Sequence, residues 1–346
     1  MTSTGPHTYV YVLASDSAQL FTLALDTASG DLTTLDTLVL REREKQAGAC
    51  PMALSHHHRH LYVALRSEPY AALSFAIDAA TGRLTQIGEA SLPHSMAFIS
   101  TDNTDRWLLG ASYPGNLLSV SPIGEDGAAG EPLHVLPARP NAHAVRTDPT
   151  NRFVLNTSLG GDVVQQHRFD VATGALTPNE PPTVNVQAAA GPRHFVFHPD
   201  GRHVYLLNEL DASVYVFAYD AATGTLSERQ VVDARPPGFT GPPAAADLHT
   251  TPDGRFLYAS VRNSSTLAAF RIDPVTALLT PAGHFEMPRQ PRGFQIDPSG
   301  RYLLCAGQLS HTLAVYEIET QTGALAKLNE QPMGLGPNWV EVVSVQ

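Results

Sequence analysis

Residues 198–226, HPDGRHVYLLNELDASVYVFAYDAATGTL, contain two phrases that return along the chain. The first is a polar turn that ends in arginine and precedes an apolar run. The second is a turn of the Asp-x-x-Thr-Gly type, which begins at positions 26, 78, 170, 220, 273 and 319. Both phrases recur at intervals of about 46 to 53 residues. Self-similarity at such a period indicates a repeat architecture.

Each repeat consists of four runs of alternating apolar and polar residues, separated by turn residues. Such runs, joined by short Asp-Gly and Thr-Gly turns, predict antiparallel hairpins. A four-stranded unit of this length, repeated in series, is typical of a blade of a β-propeller, and no amphipathic helical stretch competes with this interpretation. The sequence therefore predicts an all-β fold made of four-stranded antiparallel blades.

Seven blades are expected within a single β-propeller domain over residues 1–346. Six complete units have first strands predicted to begin near Cys50, His94, His143, Arg193, Ala246 and Arg292. The N-terminal segment holds only three strands of a seventh unit. Its missing strand is predicted at the other end of the chain, in GPNWVEVVSV at residues 336–345. A blade built from both termini would leave no open sheet edge.

The composition excludes several classes of protein. The chain has 346 residues, 43% hydrophobic and 16% charged, as expected of a globular protein with a sizeable core. A formal net charge of -11 argues against nonspecific nucleic-acid binding. The N-terminus has neither a basic start nor a long apolar run, so a cytoplasmic protein without a membrane span is expected. Two cysteines, Cys50 and Cys305, are interpreted as small buried hydrophobes.

Positions that differ between blades direct attention to one face of the propeller. The start of each first strand and the exit of each second strand share a face, because these strands are antiparallel. At the strand starts of blades four to seven stand His143, Arg193, Ala246 and Arg292. At the strand exits stand Ser15, Arg66, Tyr113, Leu159, Glu209, Arg262 and Gln308. By contrast, arginine repeats at 59, 106, 152, 202, 255 and 301, which predicts a structural role on the opposite face.

The residue types at this mouth of the central channel indicate anion binding. Guanidinium groups match carboxylate and phosphate oxygens, so Arg66, Arg193, Arg262 and Arg292 predict a small anionic ligand. His143 and Glu209 are the candidates for proton transfer, and a glutamate among arginines is expected to have a lowered pKa. Either could act as the base.

Other candidates are less central. Tyr113, His194 and Gln308 are expected to contribute to binding. His249 lies inside an innermost strand, where it either contacts the ligand or packs between blades. The run SHHHRH at residues 55–60 looks like a metal site but occupies the arginine-turn position away from the mouth, so it is interpreted as a polar turn. We therefore expect no metal and no cofactor.

The chain resembles, essentially end to end, the seven-bladed propeller lactonase family, which includes bacterial propeller-type 6-phosphogluconolactonases and is related to fungal 3-carboxymuconate lactonizing enzyme. The resemblance is carried by GPRHFVFHP at 191–199, AADLHTTPDGRFLYASVRNS at 245–264, QPRGFQIDPSGRYLLCAGQ at 290–308 and GLGPNWVEVV at 334–343. It implies a metal-free site in which His143, Arg193, Glu209 and Arg262 are catalytic. Blade two departs from the pattern at Ser67, where a proline is expected after Arg66.

The resemblance implies hydrolysis of a small anionic lactone, first of all a phosphorylated sugar lactone such as 6-phosphogluconolactone. The arginines would hold the phosphate and stabilise the oxyanion that forms when water adds to the ring carbonyl. Two alternatives stay open. One is a cycloisomerase or lactonase that acts on a carboxylated muconate-type lactone or on another sugar-acid lactone. The other is a propeller that binds an anion without catalysis. The sequence assigns no oligomeric state.

Overall fold

The computed structural model describes residues 7–40 and 48–345, whose regular secondary structure is almost entirely β-strand. The strands are, in chain order, β1 (His7–Ala14), β2 (Gln19–Leu25), β3 (Leu32–Val39), β4 (Met52–Leu54), β5 (His60–Leu65), β6 (Ala71–Ile77), β7 (Leu84–Ser91), β8 (Phe98–Thr101), β9 (Trp107–Ser112), β10 (Leu117–Pro122), β11 (His134–Pro137), β12 (Ala142–Thr147), β13 (Phe153–Ser158), β14 (Val163–Asp170), β15 (Ala175–Asn185), β16 (Pro192–Phe197), β17 (His203–Asn208), β18 (Ser213–Asp220), β19 (Thr225–Asp233), β20 (Ala245–Thr250), β21 (Phe256–Val261), β22 (Thr266–Ile272), β23 (Leu279–Glu286), β24 (Pro291–Ile296), β25 (Tyr302–Gly307), β26 (Thr312–Ile318), β27 (Leu325–Pro332) and β28 (Pro337–Val345). Two short 3₁₀ turns, Ser15–Ser17 and Leu159–Gly161, follow β1 and β13. No helix within the described residues has the length and apolarity needed to cross a bilayer.

The strands form seven four-stranded antiparallel sheets, which confirms the predicted propeller. Blade 1 has the order β28-β1-β2-β3, so its innermost strand comes from the C-terminal segment and the other three from the N-terminal segment. Within it, Tyr9 pairs with Val343 and Tyr11 with Glu341. Blades 2 to 7 follow as β4–β7, β8–β11, β12–β15, β16–β19, β20–β23 and β24–β27. The innermost strands contact one another in sequence, and contacts of β28 with β24 and β4 close the ring.

Two innermost strands begin later than the sequence predicts. β4 starts at Met52 rather than near Cys50, and β8 starts at Phe98 rather than near His94. In blade 3, Pro93 has no N–H to donate to a strand ladder, and the ring of His94 stacks on that of Tyr70 with centroids 5.3 Å apart. The N–H of Ala97 donates to the carbonyl of Ala111 at 2.8 Å, and the regular ladder begins at Phe98.

The turn between the third and fourth strands of a blade, which carries the Thr-Gly phrase in most blades, helps to hold neighbouring blades together. The hydroxyl of Tyr62 in β5 donates to the carbonyl of Gly127 in blade 3, and that of Tyr258 in β21 donates to Gly323 in blade 7, at 2.9 and 2.8 Å. Gly224 in blade 5 has a φ of +71°, and a Cβ there would lie 2.2 Å from the ring of Phe153 in blade 4. The glycine is needed both for its backbone conformation and for the close approach of the ring.

The repeated arginines have structural contacts at the opposite end of the strands. In blade 4, the Asp148 Oδ1 atom accepts the backbone N–H groups of Arg152 and Phe153 at 2.9 and 2.8 Å, which closes the polar turn. The guanidinium of Arg152 lies 5.5 Å from the centroid of the Phe153 ring and donates to the carbonyl of Ala221 in blade 5. These contacts agree with the structural role expected for the arginine turns.

Candidate active site

Bulges at the start of several innermost strands turn side chains toward the mouth of the channel. Pro192 pairs with Asn208 and His194 with Leu207, so Arg193 is an extra residue in the ladder. Arg292 is the extra residue of β24 in the same way. In β12 the irregularity includes His143. A bulge leaves one residue unpaired and changes the direction of its side chain, which explains why these three residues reach the mouth.

The residues that interact with these mouth side chains stand where the second strands end. Glu209 and Arg262 immediately follow β17 and β21. The backbone of Glu209 is fixed on both sides, since its N–H donates to Gly191 at 2.7 Å and its carbonyl accepts from Ala245 at 3.0 Å. The Nε atom of Arg262 donates to the carbonyl of Ala244 at 2.7 Å. Both side chains therefore start from anchored positions.

Arg193, Glu209 and Arg262 form a continuous ion-pair cluster. The Arg193 Nε atom lies 2.9 Å from Glu209 Oε2, and an Arg262 terminal nitrogen lies 2.8 Å from Glu209 Oε1. A terminal nitrogen of Arg193 also donates to the carbonyl of Ala246. Burial alone would raise the pKa of Glu209, but Arg193 and Arg262 outweigh it and lower the pKa below its ordinary value. Glu209 is therefore ionised at neutral pH, with both oxygens engaged.

His143 is a buried imidazole among cations. Burial, followed by the charges of Arg193, His194 and Arg292, holds its pKa well below the ordinary value, so the ring is neutral at neutral pH. Its Nδ1 atom is buried and has no hydrogen-bond partner among the described residues. A neutral imidazole can accept a proton and so can act as a general base.

Two more arginines add positive charge at the mouth. Within residues 7–40 and 48–345, Arg292 makes no hydrogen bond or ion pair, and burial and the like charges of Arg193 and Arg262 lower its pKa well below its ordinary value. Arg66 is held by Ser95 Oγ at 2.9 Å and by the carbonyl of Ala49 at 3.3 Å. An anion bound between them would stabilise the charged form of Arg292.

Comparison with known proteins identifies the family to which this chain belongs. The family described as "Lactonase, 7-bladed beta-propeller" matches residues 7–342. A protein of Pectobacterium carotovorum named 6-phosphogluconolactonase is 43% identical over 336 residues, which cover 97% of this chain and 98% of that protein. The chain belongs to the seven-bladed β-propeller lactonase family. A Yersinia pestis protein of the same name is 40% identical over 338 residues, which cover 97% and 98% of the two chains.

The fold of the chain also matches that of a solved lactonase structure. The periplasmic gluconolactonase of Pseudomonas aeruginosa superimposes on this chain with a TM-score of 0.88 and 27% sequence identity, over 99% of both chains. The family membership confirms the resemblance expected from the sequence. The roles of individual residues in this lactonase stay predictions.

The remaining predicted residues of the lactonase do not all reach the mouth. The ring of Tyr113 meets that of His143 edge-on with centroids 6.1 Å apart. Burial, and then the charge of Glu209, raises the pKa of Tyr113. Gln308 follows β25 at the mouth end, where its N–H donates to the carbonyl of Gln290 at 3.0 Å. Its side chain makes no hydrogen bond within the described part of the chain.

His194 and His249 lie deeper in the channel. The ring of His194 is 5.1 Å from that of His143, and its Nδ1 atom is 2.8 Å from Asp247 Oδ1. Burial, followed by Arg193, lowers the pKa of His194 to about 3. His249 lies beyond Asp247, with its Nε2 atom 3.2 Å from the other carboxylate oxygen and its ring 4.9 Å from that of Phe294. The structure therefore does not bring His249 to the mouth.

Sequence reasoning missed Asp247 and Asn338. Asp247 lies in the β20 bulge, one place after the aligned position Ala246, and Asn338 is the unpaired residue of β28 beside the pairs of Pro337 and Trp339. Asn338 Oδ1 accepts from Ser15 Oγ, and its amide donates to the carbonyl of Cys50 at 3.1 Å. A single aspartate inside the buried run AADLHT was the available signal.

Side chains of metal-ligand type also lie away from the mouth. In the run at residues 55–60, His57 Nδ1 is paired with Asp105 Oδ2 at 2.8 Å. In blade 5, His198, Asp200 and His203 have ligand atoms within 4.8 Å of one another. There the His198 Nδ1 atom already accepts the Asp200 N–H at 3.2 Å. Both groups belong to arginine turns at the end of the strands opposite the mouth.

Proposed function

We propose that this chain hydrolyses a phosphorylated sugar lactone of the 6-phosphogluconolactone type at the mouth of the propeller. The observation that carries the proposal is the neutral, buried His143 beside the cluster of Arg193, Glu209 and Arg262. The name 6-phosphogluconolactonase, shared by relatives 40–43% identical over nearly the whole chain, supports the same substrate.

Arg292 and Arg66 are assigned to the phosphate. Arg292 has a guanidinium without a hydrogen-bond partner among the described residues, and both arginines contribute charge at His143. A guanidinium presents paired N–H donors that fit phosphate oxygens. Binding through a group remote from the reacting carbon would position the lactone ring and contribute to the rate as well as to affinity.

Arg193 is assigned to the reacting end of the lactone. Among the charged neighbours of His143, Arg193 contributes most to the lowering of the imidazole pKa, which supports a position near the reacting groups. Its orientation is fixed by Glu209 and the carbonyl of Ala246. A fixed cation stabilises the oxyanion that develops when water adds to the lactone carbonyl.

His143 is the proposed base. As the water oxygen bonds to the carbonyl carbon, the imidazole takes a proton from that water. When the bond between this carbon and the ring oxygen breaks, the imidazolium returns the proton to the ring oxygen. The carboxylic acid product then releases one proton to solvent. Glu209 is assigned to orienting the two arginines, because both of its oxygens are already engaged.

The test is turnover of freshly prepared 6-phosphoglucono-1,5-lactone, followed as proton release above the spontaneous rate. Unphosphorylated gluconolactone is assayed in parallel at the same concentrations. Acceleration that requires the phosphate, and that His143→Gln and Arg292→Gln each reduce, would support the proposal. Equal acceleration of both lactones would remove the phosphate assignment, and acceleration of neither would contradict the proposed substrate.

A second candidate is an unphosphorylated sugar-acid lactone. The observation that favours it is the similarity to the Pseudomonas aeruginosa protein, which is named a periplasmic gluconolactonase. On such a substrate, Arg292 would lose its phosphate partner, so Arg292→Gln should leave kcat/KM within about twofold of wild type. The same parallel assay therefore separates the two candidates.

A further inference from the structure

A large cavity occupies the end of the channel opposite the mouth. Its volume is about 740 Å³, within the range of small-molecule sites. Its rim includes Asn103, Pro149 and Pro298, which belong to the turns that follow innermost strands. We call it the axial cavity; the side chains that matter below are Phe98, Arg146, His249, Gln295, Trp339 and Glu341. It is open at that end, since Pro149 and Pro298 are exposed.

The axial cavity is separate from the mouth. A void of about 10 Å³, room for about one water molecule, is lined by Arg193 and Arg292 at the mouth end of the channel. Asp247 and Trp339 line both this void and the axial cavity, so they form the partition between them. A ligand in the axial cavity would therefore not occupy the lactone site.

Arg146 is an unpaired cation in this cavity. It stands three residues after His143 on β12, and its guanidinium lies 4.8 Å from the centroid of the Phe98 ring. Its Nε atom is buried without a partner, and its side chain makes no hydrogen bond or ion pair with any residue in 7–40 or 48–345. Arg146 is half-buried, and a buried Nε–H group without an acceptor is costly, so a bound anion would supply a missing hydrogen-bond partner.

Neither nearby carboxylate forms an ion pair with Arg146, although the charges of Glu341 and Asp247 favour its charged form. Asp247 is engaged by His194 and His249, at 2.8 and 3.2 Å. Glu341 Oε1 accepts the indole N–H of Trp339 at 2.9 Å, and burial raises the pKa of Glu341 to about 7. Glu341 is thus substantially protonated near neutral pH, when it can donate a hydrogen bond rather than repel an anion.

The other side chains that line the axial cavity suit a ligand whose carbon atoms carry hydroxyl groups. The side-chain oxygen of Gln295 accepts the N–H of Ile296 at 2.9 Å, and its amide N–H groups have no partner among the described residues. The rings of Trp339 and Phe98 meet at 5.6 Å and present apolar surface against which C–H groups can pack. A single guanidinium, in contrast to the four arginines at the mouth, suits one carboxylate rather than a phosphate dianion.

We propose that the axial cavity binds a polyhydroxylated monocarboxylate, an open-chain sugar acid, with its carboxylate on Arg146 and its hydroxyls on Gln295, His249 and Glu341. This is the class of compound that opening a sugar lactone produces. The binding site itself does not rest on the proposed reaction, because its residues are distinct from those at the mouth.

The experiment titrates D-gluconate into the full-length Trp107→Phe protein and follows fluorescence. Trp107 lies between blades, where its indole N–H donates to Val171, so its removal leaves Trp339 as the reporter. Saturable binding is expected, with Kd raised at least tenfold by Arg146→Gln and unchanged by Arg292→Gln. Sorbitol, which lacks the carboxylate, should bind at least tenfold more weakly than gluconate. Unchanged binding in Arg146→Gln, or its loss in Arg292→Gln alone, would overturn the proposal.

A second variant keeps the proposal testable if Arg146→Gln does not fold. Glu341 faces Arg146 on β12 and Asp247 and His249 on β20. As pH rises through about 7 and Glu341 ionises, its charge should weaken gluconate binding several-fold. Glu341→Gln should bind with little pH dependence over the same range. A wild-type affinity that is constant across this range, or a decline that Glu341→Gln retains, would contradict placement of the carboxylate in the axial cavity.

Discussion

The two ends of the innermost hairpins differ in how closely they follow the repeat. At the turn end, arginine stands at one position in six of the seven blades, and Arg152, Arg255 and Arg301 each lie over the ring of the aromatic residue that follows. At the mouth, the corresponding residues are Cys50, Ala97, His143, Arg193, Ala246, Arg292 and Asn338. Every blade needs equivalent packing contacts in order to fold. A buried charged residue that occurs in only some blades is therefore not explained by folding. Buried arginines at the mouth are therefore better explained by a ligand than by blade assembly.

The sharpest test of this contrast removes one arginine from each end. Arg193→Ala should lower kcat for the lactone by a hundredfold or more, about 2.7 kcal/mol, because it removes a positioned cation from the developing oxyanion. Arg152→Ala, at the turn of blade 4, should leave kcat within about twofold and lower Tm by a few degrees. Initial rates and thermal unfolding of both variants give the comparison.

Equal loss of activity in the two variants would show that the two ends of the strands do not differ in function. If Arg152→Ala lost as much activity as Arg193→Ala while both remained folded, the repeated position would be functional too. Arg193→Lys is a useful intermediate, because it keeps the charge but not the planar fork held by Glu209 and Ala246. It should recover only a small part of the lost rate.

A glycine of the turns between blades should control stability rather than chemistry. In Gly224→Ala, the new Cβ would lie 2.2 Å from the Phe153 ring at a φ of +71°, so the free energy of unfolding should fall by about 2 to 3 kcal/mol. Gly238 has a similar φ of +80° with nothing within 4 Å, so Gly238→Ala should cost only the backbone strain, about 1 kcal/mol. Urea titration of both variants isolates the contribution of ring packing.

The pH dependence should identify His143 as the group that must be neutral. Burial and neighbouring cations hold its pKa well below the ordinary value of 6.5. Activity should therefore be flat over roughly pH 7 to 8 and fall about tenfold per unit only below that lowered pKa. The folded chain takes up this proton less readily than the unfolded chain, so stability should also decrease as pH falls below about 6.5.

Removal of a neighbouring cation sharpens this prediction. Arg292→Gln removes a like charge that disfavours the imidazolium, so the acid limb of the pH profile should shift to higher pH. An acid limb already at 6.5 or above in the wild type, or one that Arg292→Gln does not move, would show that another group controls the rate.

The repeat predicts the blade topology and the strand exits, since Glu209 and Arg262 follow their strands at the expected places. It does not predict the bulges, because one extra residue changes which side chain is unpaired without altering the apolar pattern. Asp247 was missed for this reason. Strand alternation also cannot tell how deep in the channel a residue lies, so His249 was grouped with the mouth although it lies beyond Asp247.

Blade 6 departs from the repeat at a structural position, where no ligand explains the change. Ala277 stands where all five of the other turn phrases have glycine, and it adopts a φ of +56°. Its carbonyl still accepts the Tyr205 hydroxyl at 2.9 Å, so the contact between blades is retained despite the strain. Ala277→Gly should relieve the left-handed alanine and stabilise the protein by about 0.5 to 1 kcal/mol, with unchanged kcat. A loss of stability in urea would mean that the alanine methyl packs well enough to outweigh its backbone, and that this break in the repeat is itself structural.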